Sequence, residues 1–221
     1  MNILAAYADR AEAGRCLAER LAVRRLRNPV VYALPGGGVP VACEVARALF
    51  APLELILVRR LGAPGSPEVA VGAVAEGLDG AVVNLDIYEM SGADEAYVEQ
   101  AATEARAEIA RRRKVYLDGR PALDAKARTA IIVDDGLMTG ATARAAVRAI
   151  RRRGADRVIV AIPVAPRAAV VELREYADEV LCPLQPYVFP EIGAFYADFH
   201  TLTDAEVIAG LDAAAVEDLR P

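Results

Sequence analysis

One stretch of the chain decides its fold, residues 131–142, which read Ile131-Ile132-Val133-Asp134-Asp135-Gly136-Leu137-Met138-Thr139-Gly140-Ala141-Thr142. Residues 129–133 form an uninterrupted apolar run, which is typical of a central strand in a parallel sheet covered on both faces. Two glycines and two threonines follow the acidic pair, and a helix is expected to begin near Thr142. Open α/β sheets bind ligands at the carboxyl ends of their strands. We therefore expect a binding site in the turn between this strand and this helix.

The composition of this turn suits a phosphate group. Glycine lets the main chain approach an anion closely, and successive N–H groups at a helix N-terminus form an anion pocket. The hydroxyl groups of Thr139 and Thr142 can add donors. Asp134 and Asp135 would repel a bare phosphate, but carboxylates accept hydrogen bonds from sugar hydroxyls. A ligand that joins a phosphate to vicinal hydroxyls, such as a ribose 5-phosphate, satisfies both features.

Two alternatives concern the same turn. A P-loop requires Gly-Lys-Ser/Thr after the glycine-rich segment, and the sequence has no such triplet there. An ordinary strand–turn–helix, in which the threonines only cap the helix, would need no ligand. The sequence pattern alone leaves this second alternative open.

Strands and helices alternate along the rest of the chain. Helices are predicted at residues 9–26, 40–50, 93–117, 142–153 and 166–176 and from about 203 onward. Strands are predicted at residues 30–34, 53–59, 69–75, 81–86, 129–133, 158–164 and 179–184, with a loop at 61–68. Thr203 and Glu206 fit a capping box. The alternation predicts one α/β domain over residues 1–221, with a doubly wound, mainly parallel sheet and helices on both faces.

Composition excludes several classes of function. A net charge of −5 gives no general reason to expect nucleic-acid or membrane binding. The three cysteines lie far apart without metal-ligand spacing and suit buried positions in a reducing compartment. The start of the chain lacks the pattern of a signal peptide, and no apolar run is long enough to span a membrane. We expect a cytoplasmic protein with neither nucleic acid nor membrane as partner.

Asp-Asp, a short variable stretch and Thr-Gly-x-Thr together resemble the phosphoribosyl-diphosphate signature of type I phosphoribosyltransferases. Residues 34–40 follow the first core strand, where such enzymes place their pyrophosphate-binding loop. Residues 57–68 and 193–199 resemble an uncharacterised bacterial subgroup of the family, so that the similarity spans most of residues 9–210. The resemblance implies the type I phosphoribosyltransferase fold, with a small hood at about residues 185–202.

The resemblance also implies a reaction and its residues. A 5-phosphoribosyl group would pass from phosphoribosyl diphosphate to a nitrogen acceptor, expected to be a nucleobase, with release of diphosphate and with Mg²⁺ as cofactor. Asp134 and Asp135 would act as catalytic residues that hold the ribose and, through water, the metal. Consecutive strand residues face opposite ways, so their roles should differ. The phosphate is assigned to Gly136, Leu137, Met138, Thr139, Gly140, Ala141 and Thr142, and the diphosphate to Pro35, Gly36, Gly37 and Gly38. A homodimer is a further family-level expectation.

Four more residues are candidates through the same resemblance. Arg59 and Arg60 precede a loop that could close over the site, with Arg60 catalytic and Arg59 binding substrate; solvent-facing arginines at a strand end are the alternative. Phe189 and Tyr196 lie in the hood that contacts the acceptor base in this family, although core packing of the hood explains the same aromatic residues equally well. The single histidine, His200, supports neither a triad nor a metal cluster and is left unassigned.

One departure from the subgroup bears on activity. The residue after the loop proline is usually arginine, which can bind a diphosphate through two parallel hydrogen bonds, whereas this chain has Gly36. Its absence favours an alternative function, a catalytically weak regulator on the same fold that binds phosphoribosyl diphosphate or a nucleotide. A third possibility is an enzyme acting on another ribose phosphate. If the loop keeps the family form, one peptide bond between Pro35 and Gly37 is expected to be cis.

Overall fold

A computed structural model describes residues 5–120 and 122–218. Residues 1–4, on which the expectation of no signal peptide partly rests, lie outside these ranges. The strands are β1 (Val30–Ala33), β2 (Leu53–Leu55), β3 (Val58–Ala63), β4 (Ser66–Ala75), β5 (Val82–Val83), β6 (Thr129–Val133), β7 (Arg157–Ala161) and β8 (Glu179–Leu181). The helices are α1 (Arg10–Ala22), α2 (Gly38–Leu49), α3 (Leu85–Ser91), α4 (Glu95–Leu117), α5 (Ala141–Arg152), α6 (Arg167–Leu173) and α7 (Asp204–Asp218), with a 3₁₀ turn at Ile192–Phe195.

Five strands form a parallel sheet in the order β2-β1-β6-β7-β8. The predicted central strand β6 lies in the middle, and all five of its residues are buried. Successive side chains of a strand point to opposite faces. Ile131 and Val133 accordingly pack in the same cluster as residues of α1, α2 and α7, whereas Ile132 packs with residues of α5 and α6. Helices therefore cover both faces, which confirms the predicted doubly wound α/β architecture.

The segment from residue 53 to residue 91 differs from its prediction. Residues 53–59, which were expected to form one strand, are divided, because β2 ends at Leu55 and the chain turns away into β3. The expected loop 61–68 is instead the end of a hairpin in which β3 pairs antiparallel with β4. Pro64 and Gly65 occupy its tight turn, where proline presets φ and Gly65 takes a φ of +71°. Only Val82–Val83 of the expected strand 81–86 pairs with β4, and α3 follows.

Ion pairs attach this hairpin to two helices. Glu76, directly after β4, accepts from Arg113 at 2.7 Å and from Arg153 at 3.3 Å. Both arginine side chains are partly buried in these ion pairs.

The ends of two helices follow the sequence signals. Glu206 Oε2 accepts from the Thr203 N–H at 2.8 Å, and Thr203 Oγ1 accepts from the Glu206 N–H at 3.3 Å, which confirms the capping box before α7. Asp9 caps α1 by accepting from the Glu12 N–H at 2.7 Å. The first helix is shorter than predicted and ends at Ala22.

A third hydrophobic cluster lies beside the carboxyl edge of the sheet. Tyr7, from the segment before α1, packs there with Phe195 and Tyr196 from the predicted hood, residues 185–202. Main-chain bonds tie the two segments, since the Ala197 N–H donates to the Tyr7 carbonyl at 2.9 Å. The hood is thus fastened to the N-terminal segment. Within the described ranges, no helix combines the length and the apolar character needed to cross a bilayer.

Candidate functional site

The two predicted loops meet at the carboxyl ends of β1 and β6, which are neighbours in the sheet. Glycine permits the approach. A Cβ atom at Gly37 would lie 1.7 Å from Oδ2 of Asp135, and one at Gly38 would lie 2.8 Å from the Val133 carbonyl oxygen. Any larger residue at either position would force the loops apart. The Pro35–Gly36 peptide bond is cis, as the resemblance led us to expect.

The turn after Asp135 contains successive main-chain N–H groups that are available to donate hydrogen bonds to a ligand. The Leu137 N–H donates to the Val164 carbonyl at 3.1 Å and so anchors the turn. Within the described ranges, the main-chain N–H groups of residues 138–143 have no protein acceptor, and the first bond of α5 runs from the Arg144 N–H to the Gly140 carbonyl. Such groups at a helix N-terminus form an anion site.

The threonines of this turn do not cap the helix. The residue before α5 is Gly140, with a φ of +76°, and no side chain caps the helix there. Thr139 is exposed and Thr142 is half-buried. This geometry argues against the alternative in which the threonines serve only as caps, since both hydroxyl groups remain available for a ligand.

The two carboxylates at the end of β6 have different surroundings. Asp135 is buried, and its Oδ2 accepts from Nε of Arg10 at 2.8 Å. Oδ1 of Asp134 accepts from the Asp135 N–H at 2.9 Å. Burial raises the pKa of Asp134 well above its usual range, and the Asp135 carboxylate raises it further. A cation beside the pair would favour the charged form of Asp134.

Arg10 was not among the residues predicted for the site. Besides its ion pair with Asp135, its Nη1 donates to the His200 carbonyl at 2.9 Å and its Cζ lies 3.9 Å from the centre of the Phe199 ring. A signal was present, because Arg10 falls at helical spacing on the same stripe as Ala13, Leu17 and the other buried residues of α1. A charged residue on an apolar stripe points to a buried partner.

Arg59 and Arg60 lie within β3 rather than before a loop, which corrects the predicted setting. Both side chains are exposed, on a strand that belongs to the hairpin. Neither side chain has a hydrogen bond or ion pair with another residue of the described ranges. Their roles in substrate binding and catalysis stay predictions.

Tyr196 packs into the protein instead of facing a ligand. Its ring lies 5.0 Å from that of Phe199 and 5.5 Å from that of Tyr7, and its hydroxyl donates to the Asp135 carbonyl at 2.5 Å. Only 6% of the residue is exposed, so Tyr196 supports the acidic pair and is not placed to stack on a base. Phe189 is half-buried against Phe195, with ring centres 5.1 Å apart, and its contact with a base stays a prediction.

The end of the hood carries the single histidine between two carboxylates. Nδ1 of His200 lies 3.0 Å from Asp198 Oδ1, and Nε2 lies 3.1 Å from Glu206 Oε1. The hydrogen bond to Asp198, followed by that to Glu206, raises the pKa of His200 above 6.5.

Within the described ranges, no three histidine, cysteine, aspartate or glutamate side chains gather as a metal centre.

This arrangement predicts the titration of His200. Because the folded state favours the imidazolium, the Hε1 signal of the untagged protein should titrate with a midpoint above 6.5, and the associated stability should be lost as the pH rises through that midpoint. Proton NMR shows it directly, since the chain has one histidine. Asp198→Asn should lower the midpoint. A midpoint at or below that of an unstructured histidine would contradict the two contacts.

Comparison with known proteins agrees with this geometry. The family model described as "Phosphoribosyl transferase domain" matches residues 8–193. A Mycobacterium tuberculosis protein named "Putative phosphoribosyl transferase" is 44% identical over 209 residues, which cover 94% of this chain and 47% of that protein. The chain thus spans about half the length of the curated relatives that it matches. On this evidence the chain belongs to the phosphoribosyl transferase family.

Solved structures show the same fold. The crystal structure of the TT1426 protein from Thermus thermophilus is similar with a TM-score of 0.79 and 44% sequence identity, over 93% of this chain and 97% of that chain. The structure of the AQ2163 protein from Aquifex aeolicus, at 12% identity and a TM-score of 0.54, covers 89% of each chain. The second likeness concerns the fold alone.

Proposed function

We propose that this protein transfers a 5-phosphoribosyl group from phosphoribosyl diphosphate to a small nitrogen-containing acceptor and releases diphosphate. One observation carries the proposal: the free N–H groups of residues 138–143 lie next to two carboxylates at the carboxyl edge of the sheet. A phosphate and the hydroxyls of one ribose match these two features at once. Membership of the family supports the same transfer.

Each part of the site has a task in this reaction. The N–H groups of residues 138–143, with the hydroxyls of Thr139 and Thr142, hold the 5-phosphate. Asp134 and Asp135 accept from the ribose hydroxyls and place negative charge near C1, where positive charge develops as the bond to diphosphate breaks. The N–H groups of residues 36–38, which have no acceptor in the described part of the chain, bind the leaving diphosphate.

Mg²⁺ fits this donor set. Magnesium is held in proteins by one or two carboxylates together with substrate phosphates and water. Asp134 and Asp135 provide such carboxylates. Burial raises the pKa of Asp134 and the Asp135 carboxylate raises it further, and a cation beside the pair would favour the charged form. The metal would neutralise charge on the departing diphosphate. The two aspartates would hold it through water and also orient the ribose.

The acceptor side of the site belongs to the hood. A Cβ atom at Gly136 would lie 2.5 Å from Cγ2 of Ile192, so the hood rests directly on the start of the phosphate turn. A nucleobase acceptor that contacts Phe189 is our proposal for this side, and Arg59 and Arg60 are proposed to approach the diphosphate. Action in the cytoplasm, which was expected from the sequence pattern, and assembly as a homodimer, which rests on the family resemblance, complete the proposal.

Gly36 favours one competing function, a regulator that binds phosphoribosyl diphosphate without turnover. A Cβ atom at Gly36 would lie 3.8 Å from both Leu202 and Val207, which is ordinary contact, so the loop has room for a small side chain there. The chain nevertheless lacks the arginine that could bind diphosphate at this position.

Diphosphate release separates the two functions. The protein is incubated with phosphoribosyl diphosphate, Mg²⁺ and each of a panel of purine and pyrimidine bases, and binding of phosphoribosyl diphosphate is measured in parallel by calorimetry. Release of diphosphate that depends on one of the bases supports the transferase. Saturable binding with no release on any base, together with activity gained in Gly36→Arg, would establish the regulator instead.

A further inference from the structure

The buried arginine of α1 has no part in the function proposed above. Among the described residues, Arg10 and Arg144 are the arginines classed as buried, with 8% and 5% of the residue exposed. Removing a guanidinium group from water is costly unless the charge is paired and its donors are satisfied. The position of Arg10 at the acidic pair therefore calls for an explanation in terms of the site.

Arg10 joins three separate parts of the chain. Its Nε donates to Asp135 at 2.8 Å, and its Nη1 donates to the His200 carbonyl at 2.9 Å. Its guanidinium lies over the Phe199 ring, with 3.9 Å between Cζ and the ring centre. The first turn of α1 thereby holds both the catalytic carboxylate and the end of the hood.

The same ion pair lies against the glycine loop. A Cβ atom at Gly37 would lie 1.7 Å from Asp135 Oδ2 and 2.9 Å from Arg10 Nε, so the two charged groups fill the space beside the Gly37 main chain. Oδ2 of Asp135 is therefore fixed from two sides. Arg10 does not engage Oδ1, which is the oxygen that would accept from a ligand hydroxyl.

We propose that Arg10 is a positioning residue of this site: it fixes the Asp135 carboxylate against Gly37 and holds residues 199–200 of the hood closed beside it. The inference rests on the proposed transferase function. Arg10 acts through Asp135 and has no contact of its own with the reacting atoms. Helix α1 then contributes a residue to the site in addition to packing on one face of the sheet.

The first test is Arg10→Met. Methionine keeps an unbranched apolar stem next to Phe199 and removes the charge and the donors. We expect kcat to fall by about 10- to 100-fold, because a displaced catalytic group costs on that order. The dissociation constant of inorganic phosphate should change by less than about threefold, since phosphate binding at the N–H groups of residues 138–143 does not use Asp135.

Rescue and a matched control separate positioning from general stability. Arg10→Lys restores the charge but cannot reach both acceptors, and it should recover part of the lost kcat. Arg24→Met removes another ion-paired arginine, which contacts Glu179 at 2.5 Å near the amino edge of the sheet, and should leave kcat unchanged. Thermal unfolding of each variant identifies any loss of folded protein.

The outcomes distinguish failure of the inference from failure of the function. A folded Arg10→Met with the turnover of the unaltered protein, or a lysine variant no better than the methionine variant, would overturn the role of Arg10 alone. Absence of turnover in the unaltered protein would overturn the proposed function. If Arg10→Met does not fold, Arg10→Lys decides: unchanged kcat contradicts the inference, and a fall of at least about threefold with inorganic phosphate affinity retained supports it.

Discussion

Asp135→Asn is expected to lower kcat with phosphoribosyl diphosphate by on the order of 10²- to 10³-fold. Asparagine keeps the shape of the side chain and can still accept from Arg10, but it removes the negative charge that the transition state requires. Steady-state diphosphate release measures the effect. Asp198→Asn is the matched control, because that carboxylate is exposed and pairs with His200, and its kcat should change little.

The same substitution should leave the fold intact. The Asp135 side chain and that of Arg10 are both about nine-tenths buried, so leaving the Arg10 charge without its carboxylate is expected to cost about 3–5 kcal/mol of the free energy of unfolding. A domain of ordinary stability tolerates this loss. Chemical denaturation of both proteins checks it. Full activity in a folded Asp135→Asn would remove the residue from its assigned role.

Gly37→Ala is expected to lower kcat by at least about 100-fold. The added Cβ would lie 1.7 Å from Oδ2 of Asp135 and 2.9 Å from Nε of Arg10. Either the glycine loop or the carboxylate must therefore move, and the diphosphate and ribose parts of the site separate. Diphosphate release and a crystal structure of the variant together measure the loss and its cause.

The adjacent glycine provides the control. A Cβ atom at Gly36 has only ordinary contacts, at 3.8 Å, with Leu202 and Val207. Gly36→Ala should therefore keep kcat within about threefold of the unaltered protein, which corresponds to less than about 1 kcal/mol. Equal losses in the two variants would show that the close approach of Gly37 to the acidic pair has no role in catalysis.

The parts of the fold that the sequence predicted well are those encoded locally. All five residues of strand β6 are buried because helices cover both of its faces, and Gly140 takes a left-handed backbone conformation, with a φ of +76°, directly before α5. The hairpin of β3 and β4 was missed for a different reason. The residue pattern of 53–59 does not show where the chain leaves the sheet, and the hairpin that follows packs against α4 and α5.

The candidate site likewise combines features that are encoded locally in the sequence with contacts that depend on the tertiary fold. The acidic pair and the phosphate turn are adjacent in the sequence, so their pattern was visible. Arg10 and Asp135 are separated by 125 positions in the sequence. No local sequence pattern predicts which arginine pairs with which carboxylate over such a distance. Tyr196 was assigned to a base because aromatic residues serve equally in binding and packing, and burial beside Tyr7 decides between them.

The most direct test is a crystal structure of the protein with ribose 5-phosphate. We predict that the phosphate lies within hydrogen-bond distance of the N–H groups of residues 138–143, with the ribose hydroxyls on Asp134 and Asp135. A phosphate bound elsewhere, or a turn whose N–H groups face the protein interior in the complex, would contradict the account.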